Sequence, residues 1–287
     1  MIGAVKSEFR KLFSTRLWWV LMLCAAGYLA GMGALMAMVL QSAVTGQPGF
    51  GGADLGGGDL GGGSNPADAL PKGADLAVMV YSMAGSMAYV FPVLVGALSV
   101  TQEYRHKTIT ATFLAEPRRG LVLAAKLVAS LPMGAAYGLV CVVATALPAA
   151  AVFALRDAAT GLDQADTWTF FARALLGFTI WAAVGVGVGA LLPNQVAAIV
   201  VVIAVTQFAE PLLRTLPAMT GQDWQWVDFL PGAAGDAIQG ASFYDSMSQV
   251  TAGGAGLTWW SAALVLVGWA GLLAGLGYLT SWRRDVS

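Results

Sequence analysis

The amino-acid sequence predicts an all-α, polytopic membrane protein with six transmembrane helices. Three observations carry this. Of 287 residues, 57% are hydrophobic and 11% are charged, where a soluble domain carries charge on about a quarter of its positions. Mean hydropathy is +0.70, which leaves too little polar surface to coat a globule in water. Apolar runs recur along the chain, and most match the roughly 20 residues that a helix needs to cross a bilayer. This composition excludes a soluble enzyme, a nucleic-acid binder and a disulfide scaffold. Cys24 and Cys141 both sit inside apolar runs and read as small buried hydrophobes.

The expected spans are 17–40, 77–100, 127–155, 168–192, 196–210 and 258–280. The first is longer than the roughly 7–15-residue core of a cleavable signal peptide, so it is expected to stay as an uncleaved span. Only Pro193-Asn194-Gln195 separates the fourth from the fifth, which fits a tight turn between antiparallel helices. The fifth is cut by Glu210-Pro211, with Leu216 as the limit of a broken continuation. Ahead of the first span, Ile2, Val5, Phe9, Leu12 and Phe13 recur at helical spacing, with Lys6, Ser7, Glu8, Arg10, Lys11 and Ser14 on the other face. Such a segment is expected to lie along the membrane surface; the alternative is a charged flank that only sets topology. Between the first two spans, residues 41–76 form an expected outer loop. It repeats Asp-Leu-Gly-Gly-Gly at 54–58 and 59–63, and Gly this dense behaves as flexible coil.

Charge sets the orientation. With six spans, one side of the membrane holds Lys6, Arg10, Lys11, Arg16, Arg105, Lys107, Arg118, Arg119, Lys126, Arg283 and Arg284, eleven of the 15 basic residues. The other side keeps Lys72, Arg156, Arg173 and Arg214, with twelve of the 16 acidic residues. The positive side is expected to be cytoplasmic, with both termini inside.

Titratable groups within the spans are few. Glu210 and Arg173 are the candidates, both near span ends, which disfavours a proton-coupled transporter. No HExxH or GxSxG motif occurs, no metal-ligand spacing is present, and no catalytic residue is expected. No GxxxxGK[ST] phosphate loop occurs either, so any ATP-driven motor must be another polypeptide. Gly27/Gly31, Gly134/Gly138, Gly185/Gly189 and Gly271/Gly275 carry GxxxG spacing, which lets helix backbones approach closely. The 101–126 loop mixes both charges with Tyr104, Ile109 and Phe113 before Pro117, which disfavours helix at the preceding residue. It reads either as a short helix offered to a cytoplasmic partner or as a solvated basic loop.

Taken in order, Ser7-Glu8-Phe9-Arg10-Lys11-Leu12, then Glu103-Tyr104-Arg105-His106-Lys107-Thr108-Ile109-Thr110, Glu116-Pro117-Arg118-Arg119 and Ala124-Ala125-Lys126-Leu127, together with Leu230-Pro231-Gly232-Ala233-Ala234 and Arg283-Arg284-Asp285-Val286, resemble the permease subunits of ABC-2 type ABC transporters. The resemblance runs the length of the chain, and the long Gly-rich outer loop departs from it. It implies that residues 1–16 hold an interfacial elbow helix and that 102–115 form a cytoplasmic coupling helix. That helix would dock on a separate ABC ATPase through Glu103, Tyr104, Arg105, His106, Lys107, Pro117, Arg118 and Arg119. ATP and Mg would be bound by that ATPase, and no cofactor by this chain. A second permease protomer, identical or related, would complete a path lined by spans two and five. Tyr81, Ser82, Ser86, Tyr89, Thr206, Gln207 and Phe208 are its candidates, and ordinary helix–helix hydrogen bonding is the other account of them. The extracellular segment 211–257 would hold re-entrant helices, with Pro231 and Gly232 at an outer gate. The function implied is export, across a bacterial plasma membrane, of a lipophilic or amphipathic small molecule such as a drug or lipid. A non-transporting scaffold or sensor that recruits a cytoplasmic protein is the alternative.

Overall fold

In the computed structural model, six helical segments are long and apolar enough to cross a bilayer: Leu17–Thr45, Ala74–Arg105, Arg119–Leu155, Ala165–Leu191, Gln195–Leu216 and Trp259–Trp282. The structure describes residues 2–46, 70–220, 224–240 and 257–282. The repeated Asp-Leu-Gly-Gly-Gly motif, part of the expected 211–257 segment, and Arg283-Arg284-Asp285-Val286 lie outside the described residues. Among the described residues, all regular structure is helical. The elements are α1 (Ile2–Ser14), α2 (Leu17–Thr45), α3 (Ala74–Ala88), α4 (Val90–Arg105), α5 (Ile109–Ala115), α6 (Arg119–Leu155), α7 (Ala165–Leu191), α8 (Gln195–Ala204), α9 (Glu210–Thr220), α10 (Pro231–Gln239) and α11 (Trp259–Gly277).

Proline sets the irregularities. Span two is α3 and α4 joined at Tyr89. Pro92 has no amide to donate, and its ring crowds the carbonyl of Ala88 one turn back, so the helix breaks there. In span five, the five residues Val205–Ala209 widen into π-helix between α8 and α9, and the Glu210 amide donates five residues back to the Val205 carbonyl. The wide turn comes just before Pro211, where an α-helical bond is lost in any case, and the helix carries on as α9 to Thr220. At the start of the same span, the Asn194 side chain accepts from the amides of Val196 and Ala197 and caps α8.

Spans two and four form the centre. Over their most apolar 18 residues they are 83% and 72% buried, against 22% for spans one and five. They cross at glycine: the backbones of Val93, Ala97 and Ala182 stand where side chains at Gly185, Gly189 and Gly96 would go. In span three, Gly134 makes the same room for the Phe178 backbone and Gly138 for the Phe178 side chain. Two of the four GxxxG pairs therefore sit at tight crossings. Gly27/Gly31 and Gly271/Gly275 have nothing within 4 Å and face outward.

One end of the bundle gathers α1, α5, the turn before α8 and the last turn of span six. Lys11 of α1 reaches Thr112 of α5, Arg105 bonds Gln195, and the Ser281 hydroxyl donates to the Leu191 carbonyl. The opposite end holds the 156–164 turn, α9 and α10. Helix α1 turns Glu8 inward, whereas Phe9 and Phe13 stay 38% exposed, their rings tilted against each other at 4.6 Å. Its apolar side is thus only partly covered by protein.

Candidate functional site

At the α1/α5 end, four charged side chains close a ring. Lys126 Nζ lies 2.5 Å from Glu8 Oε2 and 2.9 Å from Glu103 Oε1. Lys11 Nζ lies 2.7 Å from Glu8 Oε1 and 2.9 Å from Glu103 Oε1. The ring joins α1, the last turn of α4 and the first turns of α6. Its two positive and two negative charges cancel, which is what lets Glu8, Glu103 and Lys126 be buried at all. Lys11 is half-exposed. Its burial lowers the ammonium pKa, but hydrogen bonds and charge attraction with Glu8 and Glu103 outweigh this and raise it above the ordinary lysine range.

Helix α5 sits directly on this ring and on the end of span six. Phe113 meets the fully buried Trp282 edge-on at 5.3 Å. Arg119 stacks over the Phe113 ring at 5.0 Å and donates to the Trp282 carbonyl at 2.6 Å. A short helix of seven residues is too short to hold by itself, and these contacts supply its stability. They also tie it to α1 and to spans two, three and six.

The structure places the eight expected coupling residues in two groups. Arg105, His106, Lys107, Pro117 and Arg118 are exposed around α5. Glu103 is buried in the ion ring, Tyr104 is half-buried, and Arg119 is held against Phe113 and Trp282. The helical segment itself is Ile109–Ala115, because residues 102–105 continue α4. Lys107 has φ +56°, which makes the tight link between the two helices.

A second buried polar cluster occupies the opposite end. The Glu210 carboxylate accepts from the Gly232 amide at the start of α10. The Tyr89 hydroxyl donates to the Thr206 carbonyl at 2.8 Å and approaches Glu210 at 3.4 Å. Arg214 pairs with Asp236 at 2.8 Å, and Ser86 donates to the same carboxylate at 2.9 Å. Trp181 stacks on Tyr89 at 4.5 Å. Thus Ser86, Tyr89 and Thr206, with Gly232, converge on Glu210 and Asp236. Pro231 opens α10 at its first turn, where a missing amide costs least. The other expected path residues do not join them. Tyr81 donates to the Thr160 carbonyl, Ser82 to its own helix, and Gln207 and Phe208 are exposed, Phe208 at 70%.

Sequence reasoning singled out Glu210 but missed Lys126, Arg214 and Asp236 as site residues. Two signals were present: Arg214 follows Glu210 by one helical turn, and Asp236 is the lone charge in the small-residue run 231–239. No protein-family model matches the chain, and no curated protein matches it in sequence.

Proposed function

We propose that this chain is the membrane-spanning permease subunit of an ATP-binding cassette transporter that exports a lipophilic or amphipathic small molecule. A separate cytoplasmic ATPase carries the ATP and Mg, and a second permease protomer, identical or related, completes the path. Both termini face the cytoplasm of a bacterial cell, and α1 serves as an interfacial elbow. The observation that carries this reading is α5: a short helix between spans two and three, edged by five exposed residues and wired into four other elements through the ion ring and the Phe113–Trp282–Arg119 contact. A helix so connected is suited to pass a push from a cytoplasmic motor into the bundle. The convergence of Ser86, Tyr89, Thr206 and Gly232 on Glu210 and Asp236 is suited to a gate at the far end. Alternate access then requires that nucleotide state favour one packing over the other.

The test is association. Arg105→Glu with Arg118→Glu is expected to abolish co-purification with the ATPase that the unaltered chain brings down from its native membrane, while membrane insertion is retained. Unchanged co-purification refutes the docking role of α5. Nucleotide-independent transport, or a complete function with no ATPase present, refutes the permease reading and leaves the scaffold.

A further inference from the structure

Helix α1 has three sides of different chemistry. At about 100° per residue, Glu8 and Leu12 fall together, Phe9 and Phe13 lie next around the helix, and Lys6 and Arg10 follow, opposite Glu8. The first side belongs to the bundle: Glu8 is buried in the ion ring, and Leu12 packs against the cluster of Val95, Met133 and Tyr137. The second is aromatic. Phe9, Phe13 and Trp18 follow one another at ring distances of 4.6 and 5.0 Å, and the strip runs into the first turns of α2, where Trp19, Val20 and Leu23 are exposed. It therefore continues the outward side of span one, and its tryptophans mark the level at which a bilayer begins.

The third side is cationic. Lys6 and Arg10 are exposed one turn apart, and Arg16 is exposed at the joint between α1 and α2. Glu8 is the sole acid in residues 2–16, and its charge is neutralised inside the ring by Lys11 and Lys126. The outward charge of this segment is thus positive, and it lies beside an exposed aromatic edge. An acidic soluble protein would meet the cations and leave Phe9 and Phe13 in water. A zwitterionic leaflet would take the rings but bring no net charge to the cations. A leaflet with anionic headgroups satisfies both sides at once.

We propose that α1 is a docking surface for anionic phospholipid, with Lys6 and Arg10 on the headgroup phosphates and Phe9 and Phe13 seated among the first acyl carbons. Glu8 and Lys11 tie the same helix to Lys126, Glu103 and Thr112. Lipid charge therefore also holds α1 against the ion ring and, through Lys11, bears on α5. The proposal rests on the interfacial placement of α1 in the permease reading and needs neither an ATPase nor transport.

The full chain is reconstituted in nanodiscs of phosphatidylcholine alone and of phosphatidylcholine mixed equally with phosphatidylglycerol. Hydrogen exchange is followed over residues 2–14, with α7 as the internal reference. Each cation at an anionic surface is worth a factor of about five, so exchange of α1 is expected to slow by roughly 5- to 30-fold with phosphatidylglycerol while α7 is unchanged. Concentrated salt is expected to remove the difference. Lys6→Gln with Arg10→Gln, both on the side away from the ring, is expected to abolish it as well. Lys72→Gln with Arg156→Gln takes the same charge from the opposite end of the bundle and is expected to preserve it. Equal exchange of α1 in the two lipids overturns the proposal and leaves the cationic side to an acidic protein. A lipid difference that survives Lys6→Gln with Arg10→Gln overturns it too. Co-purification of the ATPase reads α5 alone, so failure of the permease reading shows itself separately.

Discussion

Lys126→Met tests whether the ion ring holds α1 and α4 to span three. Lys126 and Lys11 touch the same two glutamates at nearly the same distances, 2.5 and 2.9 Å against 2.7 and 2.9 Å. They differ in burial, with side chains 1% and 43% exposed. Removing one partner of a buried pair costs about 3–5 kcal/mol, because the remaining charge stays in a poor solvent. A pair open to water is worth about 0–1 kcal/mol. Lys126→Met is therefore expected to cost about 3–5 kcal/mol and Lys11→Met less, because the position left by the 43% exposed Lys11 opens to water that can solvate the two carboxylates. Against a total stability of about 5–15 kcal/mol, the first is severe and the second milder. Equilibrium unfolding in mixed micelles of mild detergent and dodecyl sulfate reads the difference, and hydrogen exchange over residues 2–14 reads the release of α1. Adding Glu8→Gln to Lys126→Met removes one stranded charge and is expected to recover part of the loss. If Lys126→Met proves no more costly than Lys11→Met, the ring contributes nothing through burial and the account of α1 docking is wrong.

The Lys11 ammonium is held above its ordinary pKa of about 10.4. Its contribution is thus complete below that value and disappears as pH rises through the folded-state pKa; the unfolding midpoint should be flat from neutral pH to about 10 as far as this group is concerned, and a Lys11-dependent fall below pH 9 would contradict the pairing. Glu210→Ala strips the Gly232 amide of its acceptor and is expected to cost about 1–3 kcal/mol with faster exchange over 231–239, whereas Glu210→Gln keeps an acceptor and should retain much of the protection. Gly185→Ala drives a methyl into the Val93 backbone and is expected to cost about 1–3 kcal/mol or more. Gly271→Ala meets nothing within 4 Å and should be neutral or stabilising by up to about 1 kcal/mol, so equal effects of the two in unfolding titrations would contradict the packing of spans two and four.

The six apolar segments were legible in the sequence because length and hydropathy are local properties, and bilayer thickness turns them directly into helices. The tight turn at Pro193-Asn194-Gln195 was legible for a similar reason, since Asn194 caps the helix that follows it. Legibility failed where the outcome depends on pairs distant in sequence. The polar path candidates on one helix face look alike as sequence, yet Ser86 and Tyr89 meet α9 and α10 while Ser82 bonds back to its own helix. Nothing local separates them. What does so is the arrival of Asp236 and Glu210 from elements more than a hundred residues away.

Two helices run past the expected span ends for one physical reason. Span three was expected to begin at 127 and begins at Arg119; span two was expected to end at 100 and ends at Arg105. In each case the helix carries a charge, Lys126 or Glu103, that the expected span left outside. A charge ends an apolar helix when it has to reach water, and these do not, because Glu8 supplies Lys126 with a counter-charge from 118 residues away. The local pattern contained a hint of this. Lys126 is flanked by Val122, Leu123, Ala125 and Leu127, and apart from it the stretch from Leu121 to Ala129 is free of charge. A loop lysine has no need of such neighbours, whereas a buried lysine cannot persist among them unpaired. An isolated charge embedded in an apolar helical run is better read as one half of an ion pair than as a boundary. Extended to Asp236 in its small-residue helix, that reasoning leads to Arg214 as the partner, as the fold has it.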